Sequence, residues 1–368
     1  MNILYDHQIF YRQLYGGVSR YFYEIANRIA KGKEHKVEIF APLYVNKYFQ
    51  NEALIHPRGI KIPSLPRTGR VVETVNASVS WLSMKPRQDV AICHETYYSM
   101  HDCCPRSAKR VITVYDMIHE KFTESFLERD NTREIKAHAV RRADHVICIS
   151  ENTRRDLIEL LGVPEEKTSV VYLGYSLATK KTADESTVNE APYILYVGQR
   201  GGYKNFEGLL RAFGGSPLLK NGFCLICFGG GGFTAREFEL MGLLNIPTGR
   251  VKYMAGDDNI LAGLYAAASI FVYPSLYEGF GIPPLEAMSF GCPVVCANTS
   301  SLPEVVGDAA ELFNPADEAS MCKALEFVVT SKDRASFLIE RGHERCNQFS
   351  WEKCASETLD VYKKVLQG

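Results

Sequence analysis

The stretch IFVYPSLYEGFGIPPLEAMSFGCPVVCA, residues 270–297, decides the architecture of this chain. It opens on an apolar strand, IFVY (270–273), and passes through a glycine-rich turn, Gly279-Phe280-Gly281. Pro283 and Pro284 then start a helix, because proline's fixed φ and missing N–H suit a first turn. Gly291 stops that helix, and PVVCA (293–297) reads as a second strand. Strand, loop, helix and strand make a βαβ unit, whose ligand site lies at the carboxyl end of the first strand. Glu278 and Glu286 stand eight positions apart across the loop-to-helix junction. Unpaired N–H groups and the positive end of a helix dipole there attract an anion. One carboxylate can then face a reacting centre while the other accepts hydrogen bonds from hydroxyls further along the ligand. Two glutamates near a helix start are common by chance; the flanking strands turn the pattern into a site for an activated, phosphorylated sugar.

The same alternation runs through the whole chain and implies parallel sheets. In the first half, strands are expected at 2–5, 36–40, 90–93, 110–115, 145–149 and 169–172. In the second, they are expected at 193–197, 223–228, 250–254, 270–273 and 293–297. Val18, Phe22, Ile25 and Ile29 define one buried stripe of a helix, and Ser150 and Gly162 bracket another. The polar stretch GYSLATKKTADESTVNEA (174–191) interrupts this order. At 368 residues the chain accommodates two domains. The expected division is a Rossmann-like domain at 1–174, a linker at 175–191, a second Rossmann-like domain at 192–350, and a helix at 351–368 packing back on the first domain. The fold class is α/β: two doubly wound domains with an interdomain cleft.

Composition narrows the function. A hydrophobic fraction of 46% and a charged fraction of 23% are those of a water-soluble globular protein. No apolar run is long enough to span a bilayer, and MNILYDHQIF reads as a first strand rather than a signal peptide. The expected location is the cytoplasm or the cytoplasmic face of the membrane. The eleven cysteines are read as reduced thiols; Cys224 and Cys227 form a C-x-x-C without a second pair, so no metal is expected. Residues 1–175 carry 25 Lys+Arg against 21 Asp+Glu. Residues 56–88 hold Arg58, Lys61, Arg67, Arg70, Lys85 and Arg87 against Glu73 alone, with Trp81, Leu82 and Met84 beside them. That segment suits peripheral contact with an anionic inner membrane, or a solvated loop and core helix. A pI of 6.8 argues against nucleic acid.

Other candidates follow strands. Gly16-Gly17 precedes the first long helix, where main chain approaches a phosphate or simply turns. YVGQRGGYKN (196–205) sets Gly198, Arg200 and Lys204 at a strand's carboxyl end. Arginine offers a phosphate two parallel hydrogen bonds, and lysine a mobile charge. FGGGGF (228–233) lacks both the dinucleotide and P-loop spacings and reads as a close-approach loop or a turn. His94, Tyr115, Asp116 and His119 sit at first-domain strand ends, placed to contact a sugar.

With these residues assembled, the chain resembles the family-4 retaining glycosyltransferases of GT-B architecture. YPSLYEGFGIPPLEAMSFGCPVVCANTSSLPEVVGDAA (273–310) carries that family's E-x7-E signature, and YDHQIFYRQLYGGVSRYFYEIA (5–26) resembles its glycine-containing first loop. SENTRRDLIELLGVPEEKTSVVYLG (150–174) fits the end of its first domain. The similarity is greatest to enzymes that build bacterial surface polysaccharides such as O-antigen. It implies that the domain at 1–174 binds the acceptor and the domain at 192–350 the nucleotide sugar, that Glu286 binds the donor ribose and that Glu278 lies near the donor sugar. It gives Arg200 and Lys204 the diphosphate, with main-chain groups around Gly279, Phe280, Gly281, Ile282 and Gly17. Two departures stand out: Tyr115-Asp116 replaces a common His-Asp, with His119 as substitute, and Gln199 displaces the arginine to 200. The implied reaction transfers a hexose, with retention and without a metal or other cofactor, from a nucleotide sugar to a lipid-linked glycan. GDP-mannose is the first donor expected, and UDP-hexoses come next. Alternatives are a GT-B epimerase or phosphorylase, a dinucleotide oxidoreductase, and a non-catalytic sugar-nucleotide-binding partner in polysaccharide assembly. The oxidoreductase lacks its glycine fingerprint.

Overall fold

The computed structural model describes residues 1–49, 53–127, 129–176 and 191–368. The chain forms two compact units, one of residues 1–174 with 350–368 and one of residues 175–349. Of the expected linker at 175–191, residues 177–190 lie outside the described residues.

The first unit is built on a parallel sheet of β1 (Asn2–Tyr5), β2 (Lys36–Tyr44), β3 (Arg58–Lys61), β4 (Ile92–Glu95), β5 (Lys109–Val114), β6 (His145–Cys148) and β7 (Thr168–Val170). Their order is β3-β2-β1-β4-β5-β6-β7, the doubly wound arrangement that reverses direction at β1. Ile3 pairs with Val37 on one side and Ile92 on the other. Helices cover both faces of such a sheet, so central strands are buried throughout; all four residues of β4 and of β6 are. Strand β3 was not expected, since its residues RGIK are all exposed on the sheet edge and carry no apolar signal. The helix Gly17–Lys31 buries Phe22, Ile25 and Ile29 as the stripe predicts, while Val18 stays half-exposed. In helix Glu151–Leu161 the Ser150 side chain accepts from the Thr153 N–H, and Gly162 closes it at φ +64°.

The chain re-enters this unit at Ser350, which caps helix Trp351–Gln367. The helix packs along Gly17–Lys31, and its Tyr362 hydroxyl reaches into the core, 3.1 Å from the Tyr5 hydroxyl and 2.6 Å from His94 Nδ1.

The second unit is a parallel sheet of β8 (Tyr193–Val197), β9 (Cys224–Phe228), β10 (Val251–Met254), β11 (Ile270–Tyr273), β12 (Val294–Ala297) and β13 (Ala310–Phe313). Its order, β10-β9-β8-β11-β12-β13, places the switch point between β8 and β11.

The expectation of eleven reduced cysteines is corrected at one pair. Cys93 on β4 and Cys104, in the loop that folds back before β5, form a disulfide with their Cα atoms 5.9 Å apart. Cys224 and Cys227 are free thiols; three apart on β9, they point to opposite faces of the sheet. Cations of the segment 56–88 are also partly spoken for. Lys85 pairs with Asp102 at 2.5 Å, Arg87 with Glu38 and Asp89, and Arg58 with Glu38. No helix among the described residues is long and apolar enough to cross a membrane.

Candidate active site

The strongest concentration of chemistry lies in the second unit, where the loops after β8 and β11 meet at the switch point. The Leu276 N–H donates to the Tyr203 carbonyl at 2.7 Å. Asn205, in a left-handed conformation at φ +54°, donates from one amide nitrogen to the carbonyls of Pro274 (3.2 Å) and Pro315 (2.9 Å). These bonds clasp the two loops and bring together side chains 74 positions apart: Lys204 Nζ donates to Glu278 Oε1 at 2.6 Å. Glu278 is 8% exposed, and a carboxylate so buried needs a partner. Lys204 also stands 5.6 Å over the Tyr273 ring. Burial, followed by the nearby Glu278 carboxylate, holds the Tyr273 hydroxyl protonated well above its ordinary range.

Residues after the strand complete the turn. Ser300 Oγ accepts from the Glu278 N–H, and Ser301 Oγ bonds the carbonyls of Glu278 and Phe280, each at 2.8 Å. Phe280 is a core residue, its ring edge-on to Phe349. Gly281, at φ +119°, turns the chain into helix Ile282–Ser289, whose Pro283 and Pro284 lie in the first turn. A side chain at 281 is strained there and meets Leu302 at 2.9 Å. Glu286 sits one turn in, 7% exposed, and accepts a hydrogen bond from the Tyr265 hydroxyl at 3.4 Å. Sequence reading missed the clasp Asn205 and the braces Ser300 and Ser301, although all three fall inside the segments it quoted.

Arg200 requires a correction. Its guanidinium donates from Nε to Glu237 Oε1 at 2.7 Å, from Nη1 to the Gly229 carbonyl at 3.0 Å, and from Nη2 to those of Gly231 and Gly232 at 2.7 and 2.6 Å. It lies 4.8 Å from the Phe233 ring centre, with Phe206 and Tyr253 beyond, and is 8% exposed. Glu237 belongs to a capping box with Thr234. Burial raises its pKa, and the Thr234 N–H and Arg200 more than reverse this, leaving it below the ordinary glutamate value. Arg200 therefore fastens the Gly229–Gly232 loop to the loop after β8, with four of its five N–H donors on protein acceptors and one Nη1 hydrogen left over. The two loops are in close approach: a side chain at Gly230 meets the Gly198 carbonyl at 2.8 Å. Gly198 itself holds φ +134°.

In the first unit the candidates separate. His94 is fully buried, between Tyr362 and the Thr113 hydroxyl (2.9 Å), so it is a core residue and no sugar contact. Asp116 Oδ1 accepts from the Ile118 N–H at 3.0 Å. His119 stacks on Phe126 at 4.0 Å, with Nε2 3.8 Å from Asp130 Oδ2 and its buried Nδ1 unbonded among the described residues. Gly16 is the N-cap of helix Gly17–Lys31 and follows a short helix, Gln8–Arg12, not the strand directly. Gln13 Oε1 reaches the Ser19 N–H at 3.2 Å, and space beside Gly17 is open.

Two family models match in tandem, Glycosyltransferase Family 4 over residues 15–179 and Glycosyl transferases group 1 over residues 179–345. O-antigen chain mannosyltransferase B of Escherichia coli is 26% identical over 381 residues, covering 94% of this chain and 96% of that protein. Among solved structures, sucrose-phosphate synthase from Thermosynechococcus elongatus superposes with a TM-score of 0.77 at 20% identity, over 100% of this chain and 99% of the other. Anabaena Alr3699/HepE in complex with UDP-glucose does so with a TM-score of 0.71 at 18% identity, over 98% and 100%. At these identities the solved structures establish the fold. Two doubly wound parallel sheets in tandem, the second with paired glutamates at its switch point, define a glycosyltransferase of the GT-B class. The chain belongs to the family-4 glycosyltransferases.

Proposed function

We propose that this protein transfers mannose from GDP-mannose, with retention at the anomeric carbon, to a hydroxyl of a lipid-linked bacterial surface glycan. The observation that carries the reading is the Lys204–Glu278 pair at 2.6 Å, held at the switch point of a nucleotide-binding type of sheet. An ammonium has three donors. Lys204 can keep Glu278 and still offer the other two to a departing diphosphate, and stabilising that developing charge is the main catalytic demand. The anomeric C–O bond to the diphosphate breaks, the acceptor oxygen bonds the same carbon on the same face, and the acceptor proton passes to the leaving phosphate oxygen. Glu278 aligns the donor sugar, and Glu286 accepts hydrogen bonds from the ribose. Lys204 supplies the positive charge, and the proposal calls for no metal.

Support for mannose and for a surface glycan comes from the Escherichia coli mannosyltransferase, similar along nearly its full length. A UDP-hexose is the second donor reading, favoured by the structural likeness to HepE in complex with UDP-glucose. The face of helix Gly69–Met84 that exposes Val71, Trp81 and Leu82 beside Arg67 and Arg70 supports peripheral membrane contact.

Thermal shift against GDP-, UDP-, dTDP- and ADP-sugars, with NAD as control, tests the reading. A ligand at 100 times its dissociation constant adds ~2.7 kcal/mol of stability. A shift with one sugar-nucleotide series supports it; no shift with any, or a shift with NAD alone, overturns it.

A further inference from the structure

Strand β11 lies between β8 and β12 in the second sheet, so the loop that carries Glu278 is flanked by the loops that follow those two strands. Both flanking loops break local rules, and they break the same two. Five non-glycine residues among those described hold a positive φ, and two of them stand here: Asn205 at +54° after β8 and Ser300 at +53° after β12. The left-handed region is sterically costly for any residue with a Cβ, less so for asparagine than for serine. Helix caps are the second irregularity. Asn205 is the N-cap of helix Phe206–Gly215 and Ser301 that of helix Leu302–Val306. Both residue types ordinarily turn a side-chain oxygen onto their own helix. Neither makes that bond here.

The side chains so diverted serve the Glu278 loop. Asn205 donates to the Pro274 carbonyl at 3.2 Å, where the loop leaves β11, and to the Pro315 carbonyl at 2.9 Å. From the other flank, three successive hydroxyls engage alternate residues of the loop. Thr299 donates to the Leu276 carbonyl at 3.3 Å, and Ser300 accepts from the Glu278 N–H at 2.9 Å. The fully buried Ser301 hydroxyl lies 2.8 Å from the carbonyls of both Glu278 and Phe280. Each carbonyl shares a planar trans peptide with the next N–H. Drawing the two carbonyls toward Ser301 therefore faces the N–H groups of Gly279 and Gly281 away from it. Local preferences given up at neighbouring residues, all in favour of one loop, mark a functional constraint.

We infer that Asn205, Ser300 and Ser301 are positioning residues, a two-sided clamp that fixes the Glu278 carboxylate and the 279–281 main chain in the geometry of transfer before a donor arrives. Their effect passes through Glu278, which the clamp sets 2.6 Å from Lys204. Groups held in place beforehand need no rearrangement as charge develops. The inference deepens the proposed function and rests on it for one point, that Glu278 faces the reacting sugar.

The test replaces each left-handed residue with glycine, in the full chain. Ser300→Gly and Asn205→Gly take the same φ without strain, which offsets the lost hydrogen bonds, so both variants should fold. GDP release from GDP-mannose, with methyl mannoside as acceptor, is the kinetic readout. Ser300→Gly is expected to lower kcat by about tenfold while the donor KM changes by less than about twofold. In a Glu278→Gln background the same substitution should lower kcat by less than about twofold, because the carboxylate it positions is gone. Full kcat in both glycine variants, or an equal fold loss with and without the Glu278 carboxylate, would overturn the clamp. Hydrogen exchange without ligand gives a second readout. Peptides covering 276–281 should exchange about tenfold faster in Ser300→Gly, with the β11 strand itself unchanged; unaltered exchange there would also overturn it. If the wild type releases no GDP, the donor reading falls, and the exchange result still decides the clamp.

Discussion

Acidification should loosen the first unit through His94, and the size of the effect can be worked out. His94 lies at full burial with Nδ1 against the Tyr362 hydroxyl and Nε2 against Thr113. Burial lowers its pKa from 6.5 to about 3. A histidine that binds its proton more weakly when folded takes one up on unfolding, so stability is complete above pH 6.5 and falls as pH drops toward 3. At 1.36 kcal/mol per pH unit, the loss is about 0.8 kcal/mol at pH 6 and about 2 kcal/mol at pH 5. His7, also lowered to about 3 by burial, acts in the same direction. Glu95 opposes both. Burial, only partly offset by Arg142, raises it to about 7, so its folded form gains stability as pH falls. The measurement must therefore be a difference between the wild type and His94→Gln. The chain's two tryptophans, Trp81 and Trp351, both belong to the first unit, and Trp351 is the buried one. Urea unfolding read by tryptophan emission thus reports on this unit. Between pH 7.5 and 5.0 the wild type should lose about 2 kcal/mol more than His94→Gln. Parallel pH profiles for the two proteins would refute a buried, neutral His94, and with it the docking of Tyr362 from the C-terminal helix.

Site variants divide by what they touch. Glu278→Gln should lower turnover by roughly 10²-fold or more with a modest loss of donor affinity, because it acts on the reacting centre; steady-state kinetics with full activity would remove Glu278 from the site. Lys204→Ala should weaken both donor binding and turnover, and should also cost about 2 kcal/mol of stability by leaving Glu278 buried without its partner; a melting curve and a donor titration check the two effects separately. Arg200→Lys keeps the charge but loses the planar fork, so it should lower stability by about 2–3 kcal/mol and raise the donor KM more than it lowers kcat. Unchanged stability with collapsed kcat would return Arg200 to the reacting centre. Replacing Trp81 and Leu82 together with serine should leave donor binding unchanged and reduce co-sedimentation with phosphatidylglycerol vesicles by about fivefold; equal sedimentation of the two proteins would dispose of that membrane face.

Strand positions were legible because a parallel strand covered on both faces has little choice but to be apolar, as in IFVY and YILYV. The edge strand RGIK has no such constraint, and its pairing with β2 could be found only in three dimensions. The site follows the same logic one level up. Glu278 and Lys204 each announced themselves at a strand's carboxyl end, and their 74-residue separation is closed by the adjacency of β8 and β11. Arg200 looked identical by that criterion, a cation among glycines after β8. What sets it apart is Glu237 in the following βα segment, together with carbonyls exposed by the left-handed turns at Gly229, Gly230 and Gly231. Glycine-rich loops offer N–H groups to an anion, but turned the other way they offer carbonyls to a cation, and a sequence does not distinguish the two orientations. The Lys204 ammonium meets a single carboxylate and keeps donors to spare, while the Arg200 guanidinium is engaged on both edges and stacked on aromatic rings. That difference in remaining donor capacity, two hydrogens against one, makes Lys204 the better placed of the two cations to answer a phosphate.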